Sequence, residues 1–167
     1  PLEKVFDGFI PYIDFGSTAD FDNDFAKQPN RQRVSTLIRE DLGVPVFVVN
    51  SETETRPYVA VRQPDASMHR FWEVAGTSHV SVQRGEERED LDSPNWLSYT
   101  PVYDAALRHM HRWLAEGVEP PKMPLIEVND EGEIQRDEYG NAKGGIRLPE
   151  LGVPTATHSG RGKMVAG

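Results

Sequence analysis

The apolar residues of this chain fall into a few short runs separated by polar and charged stretches. Val44-Pro45-Val46-Phe47-Val48-Val49 is apolar at every position. A run of that length without alternation predicts a strand covered on both faces, as in a parallel sheet. A second run, Phe71 to Ala75, also has strand length and breaks at Gly76. A third, Val5 to Ile13, is rich in aromatic and β-branched residues and reads as a strand interrupted by Gly8 and Pro11.

Helical periodicity is clearest after Thr100. Val102, Ala106, Met110, Trp113 and Leu114 form one apolar face, with Thr100 as N-cap, Pro101 in the first turn and Gly117 as the stop. Arg33 to Asp41 predicts a shorter helix, with Val34, Leu37 and Ile38 on one side and Gly43 closing it. A helix followed at once by a buried strand points to an α/β architecture.

Between these elements the pattern loosens. Residues 14–30 and 56–68 read as loops, the latter as a loop or broken helix around Pro57 and Pro64, and Glu86 to Asp92 as a solvated charged excursion. After Pro120-Pro121 the pattern turns to short β segments. Leu125–Val128 and Glu133–Arg136 flank the turn Asn129-Asp130-Glu131-Gly132, and a second turn at Glu138–Asn141 leads to Ile146. The expected organisation is a core over 1–118, a β extension over 119–160 laid on it, and a flexible tail over 161–167.

Composition narrows the chemistry. At 167 residues the chain is of single-domain size. It has no cysteine, hence no disulfide framework and no thiolate nucleophile or ligand. A formal net charge of −9 argues against nucleic acid or an anionic membrane as partner. No apolar run reaches membrane-spanning length. No residue set suggests a metal or an organic cofactor. His109 and His111 are two apart on the predicted helix and point to different sides, so they read as cations near its negative end.

Two places carry candidate chemistry. His79 stands three residues past Gly76, where a loop after a strand can present an imidazole as a general base. Asn50-Ser51-Glu52-Thr53-Glu54-Thr55 follows the buried strand and puts two carboxylates past its carboxyl end, the edge of an α/β sheet where catalytic groups gather. As a solvated turn, the same stretch would need only Ser51 and Thr53 as capping groups.

The order of buried strand, acid, strand, histidine and amphipathic helix is that of the closing part of an α/β-hydrolase. The segments LGVPVFVVNSETET, RQPDASMHRFWEVAGTSHV, AALRHMHRWLAEGVEPP and DEYGNAKGGIRLPELGVPTATHSG resemble the carboxy-terminal half of the alpha/beta hydrolase domain proteins. The likeness covers most of 1–160, and Pro1 to Phe9 would follow directly on that family's nucleophile-elbow helix. The resemblance implies a mostly parallel sheet with flanking helices plus a small hairpin extension. It also implies that His79 is the triad histidine and Glu54 the triad acid, with Glu52 the runner-up.

One part of the family pattern is absent. No serine of the chain, from Ser17 to Ser159, stands in G-x-S-x-G, and no oxyanion-hole loop precedes an elbow. The resemblance therefore implies a hydrolase of carboxylic esters in which this chain gives the acid and histidine. The serine would lie on an upstream segment or a partner chain, the amino-terminal half of the same hydrolase, and the substrate would be a small-molecule ester. The alternative is a hydrolase-like subunit with a binding or structural role and no chemistry.

Overall fold

The computed structural model describes residues 5–19, 33–79, 91–93, 95–160 and 163–164. In chain order the elements are β1 (Ser17–Ala19), β2 (Arg33–Ser35), β3 (Val46–Ser51), α1 (Glu52–Tyr58), β4 (His69–Val74), β5 (Leu91–Ser93), α2 (Thr100–Glu116), α3 (Pro149–Gly152) and β6 (Lys163–Met164). β1 and β2 pair antiparallel, as do β5 and β6. A single turn of 3-10 helix, Val59–Val61, continues α1.

The centre is the parallel pair β3–β4, in register from Val46 opposite His69 to Ser51 opposite Val74. Parallel bridges extend it on both sides. Phe9 and Tyr12 bridge Val46 and Val49, and Ile146 bridges Val74. The amino-terminal run is thus extended but not a continuous ladder: Pro11 has no N–H to give, and Ile13 ends it with φ of +49°.

The unalternated run is explained by its two covered faces. Phe47 and Val49 pack with Trp72 and Val74 against Val102, Ala106, Met110 and Trp113 of α2. Val46, Val48 and Phe71 pack on the other side against Tyr58 and Val61. Side chains alternate across a strand, so a strand buried on both faces needs apolar residues at every position. Each fully buried Val or Phe contributes about 1.5–3 kcal/mol. A third cluster, Ala75, Leu97, Ile126, Ala142 and Leu151, lies under the carboxy-terminal β segments.

Those segments join the sheet rather than merely covering it. Ile146 N donates to Glu73 O at 2.7 Å, and Ala75 N to Ile146 O at 3.0 Å. Glu73, fully buried on β4, accepts from Arg62 Nη2 at 2.7 and 2.8 Å and from Ile126 N at 2.9 Å. Burial pushes the Glu73 carboxyl above its ordinary pKa, while the Arg62 guanidinium pulls the other way.

Several expectations are corrected. Arg33 to Asp41 is not a helix: Arg33–Ser35 is strand β2, and the backbone N–H and C=O of Ile38 are both taken by the Gln63 side chain, at 2.7 and 2.9 Å. A helix needs those groups for its own ladder. Within the stretch expected as a loop after Ile13, Ser17–Ala19 forms β1. The acidic stretch after β3 is the first turn of α1, with both carboxylates buried instead of solvated. Thr100 is the first residue of α2 and not its cap: the cap position is Tyr99, and Ser98 Oγ accepts from Thr100 N at 3.2 Å. Leu114 is exposed on the flank of α2, and His109 lies edge-on against Trp72 with ring centroids 5.6 Å apart. The expected excursion Glu86–Asp92 lies outside the described residues apart from Leu91 and Asp92. So does the expected tail over 161–167, apart from Lys163 and Met164, which pair with β5.

Candidate active site

β3 and β4 run parallel, so their carboxyl ends emerge side by side. Ser51 ends β3 and caps α1: its hydroxyl accepts from Thr53 N at 3.3 Å. Glu54 completes the capping box by reaching back to Ser51 N at 3.0 Å. A capping Ser followed three residues on by Glu is readable in the sequence, and it sets the first turn of the helix. Glu54 uses only one oxygen, Oε2, for this task, and Ser51 Oγ donates to the same atom.

The other oxygen meets the histidine. Glu54 Oε1 lies 2.6 Å from His79 Nδ1, with the Glu54 side chain fully buried and that of His79 36% exposed. An Nδ1–H donating to an ionised carboxylate is a short, charge-assisted bond, and it fixes the ring tautomer. The ring also lies against Phe15, with centroids 4.9 Å apart. His79 N donates to Thr53 Oγ1 at 3.0 Å, so the loop is tied to α1 by its backbone as well.

Glu52, the other candidate acid, is placed elsewhere. It is 2% exposed, and its Oε2 accepts from Gly76 N at 2.7 Å. Its Oε1 accepts from Arg136 Nη2 at 2.7 Å and from Gly160 N at 3.0 Å. The structure therefore brings Glu54 to His79 and turns Glu52 toward the base of the histidine loop. Gly76 has φ of +75°, and a Cβ there would press on Leu151 and Leu97, so glycine is required at that bend.

Three contributors escaped the sequence reading. Asn95, buried, donates from Nδ2 to Gly76 O and to Ser159 O, both at 2.6 Å. Gly160 accepts from Thr53 Oγ1 and leaves no room for a side chain beside the Thr53 backbone. Arg136 belongs to the β extension, yet it ends at the acid helix. Among the described residues no group of three or more His, Asp or Glu is arranged to hold a metal ion. A shallow groove beside Thr53 is lined by Arg56 and Arg136, but each cation is already matched, by Glu133 and Glu52.

The family model for the alpha/beta hydrolase domain matches residues 1–167, the whole of the sequence. The chain belongs to that family. The mixed α/β build of this alpha/beta hydrolase domain, with a parallel sheet between helices, is the architecture such a domain requires. No curated protein and no solved structure matches it. No helix among the described residues of the domain is long and apolar enough to cross a membrane.

Proposed function

We propose that this alpha/beta hydrolase domain supplies the acid and the histidine of a Ser-His-acid machinery for carboxylic-ester hydrolysis, with the nucleophilic serine on a segment outside these 167 residues. The observation that carries the reading is the 2.6 Å contact between the buried Glu54 carboxylate and His79 Nδ1 at the carboxyl edge of two parallel strands. With Nδ1 engaged, Nε2 is the nitrogen that exchanges protons.

In that role Nε2 takes the proton of the serine hydroxyl as its oxygen adds to the ester carbonyl. The imidazolium then returns the proton to the departing alkoxide, leaving an acyl-enzyme. Water, deprotonated by the same nitrogen, adds to the acyl carbon, and the imidazolium gives that proton to the departing serine oxygen, releasing the acid and restoring the starting state. Glu54 holds the tautomer and stabilises the imidazolium.

The edge that supports a place for the nucleophile segment is the one left unpaired among the described residues. Phe9, Pro11 and Ile13 bond to Pro45, Phe47 and Val49 through one edge of the amino-terminal segment. Among the described residues no strand pairs with its other edge. A binding or structural subunit without chemistry is the second reading, favoured by the lack of a serine elbow.

The test is hydrolysis of a short-chain aryl ester by the complete enzyme. His79→Ala is expected to lower kcat by several orders of magnitude with the fold intact, and Glu54→Gln by about 10⁴ through loss of the tautomer. Full activity of His79→Ala would remove the hydrolase reading.

A further inference from the structure

The buried carboxylate of Glu52 bonds to neither His79 nor Glu54, yet it joins three separate pieces of chain around them. Its Oε2 holds Gly76 N, where the histidine loop begins, at 2.7 Å. Its own backbone N–H holds Thr77 O at 3.1 Å. Its Oε1 holds Gly160 N at 3.0 Å, and Arg136 supplies the countercharge at 2.7 Å. The next residue continues the clamp, Thr53 Oγ1 accepting from His79 N at 3.0 Å and donating to Gly160 O. All of this hangs on the first turn of the helix whose third residue is Glu54.

We propose that Glu52 is a positioning residue for His79, locking the loop 76–79 to the helix that carries Glu54 so that the imidazole meets the carboxylate in one geometry. The proposal rests on the hydrolase reading for its catalytic consequence, but the geometry it describes can be read without any turnover. Buried carboxylates persist only when hydrogen-bonded, and Glu52 has both oxygens engaged, Oε2 by Gly76 N and Oε1 by Gly160 N and Arg136. Both its oxygens accept from N–H groups. An amide in its place would set an NH2 against a donor whichever way it turned: Gly76 N on one side, Gly160 N and Arg136 on the other. The loop would then move relative to α1, and a displacement near 1 Å at a reacting group costs about a hundredfold in rate.

The experiment compares Glu52→Gln, Thr53→Val and His79→Ala in the complete enzyme. One readout is aryl-ester kinetics. The other is the downfield proton resonance of His79 Nδ1–H bonded to Glu54, identified by its loss in His79→Ala. Glu52→Gln is expected to lower kcat about a hundredfold with KM little changed, and to shift or broaden that resonance. Thr53→Val, which removes the tether to His79 N, is expected to do the same and carries the test where Glu52→Gln does not fold. A lowered melting temperature with unchanged kcat and an unshifted resonance below the melt would overturn the proposal and leave Glu52 as a structural ion pair. An active His79→Ala would instead overturn the hydrolase reading, while the resonance in Glu52→Gln would still decide the clamp.

Discussion

Glu54 and Glu52 are two residues apart on one helical turn and serve opposite ends of the same loop. Geometry separates them where residue type could not. Buried charge of this kind is stable only in pairs, and the same rule governs Arg62 and Glu73 behind the site. Arg62 is 16% exposed and Glu73 fully buried, and the pair also grips the backbone of Ile126 through Ile126 N and O. Removing the cation would leave an uncompensated carboxylate whose pKa burial already raises. Arg62→Ala is therefore expected to lower stability by about 3–5 kcal/mol, measured by chemical denaturation of the protein. A change under about 1 kcal/mol, the range of an ordinary surface substitution, would show that the pair is dispensable. His79 and Glu54 were legible as candidates because each follows a strand of strong apolar pattern. The Arg62–Glu73 pair was not, because nothing local in the sequence marks a charge on β4 as inward-facing.

At the scale of elements, legibility followed periodicity. β3 and β4 were readable from apolar runs, and α2 from its 3.6-residue face, because burial on a sheet imposes those patterns. The segment 33–41 has helical apolar spacing, but Arg33–Ser35 pairs as a strand and a distant amide, Gln63, claims the backbone of Ile38. The start of α2 was displaced by one residue because Ser98, outside the helix, offers the hydroxyl that Thr100 was expected to supply. The orientation of α2 is nevertheless decided by packing. Trp113 is 6% exposed and lies in the cluster with Phe47 and Trp72, while Arg112 points outward to Glu116. Trp113→Ala is expected to cost about 3–5 kcal/mol in thermal or chemical unfolding of the protein. A loss below about 1 kcal/mol would mean that α2 seats differently on the sheet.

At the scale of the whole molecule, what the sequence could not convey is long-range closure. The three partners of the Glu52 carboxylate, Gly76 N, the Arg136 side chain and Gly160 N, stand 24, 84 and 108 positions away, and no local pattern announces such contacts. That Glu54 precedes His79, each just past a strand, is by contrast a matter of sequence order alone. Assembly turns on the amino-terminal segment. Its inner edge bonds to β3, and Ile10 and Tyr12 alternate to the other edge, where no described strand pairs with them. Beside that edge, Val5 is 78% exposed, Phe6 61% and Phe9 38%. Parallel sheets are stable when covered on both faces and paired along their edges, and an unpaired edge with apolar neighbours invites association. These 167 residues by themselves are accordingly expected to aggregate or to melt without a sharp transition. Co-expression with a segment carrying the serine elbow should yield a soluble complex that melts cooperatively. Size-exclusion chromatography with light scattering, followed by calorimetry, distinguishes the two states. A monodisperse monomer of this chain alone with one sharp melting transition would mean that the edge unpaired among the described residues needs no partner, and would overturn the docking of a nucleophile segment by strand pairing.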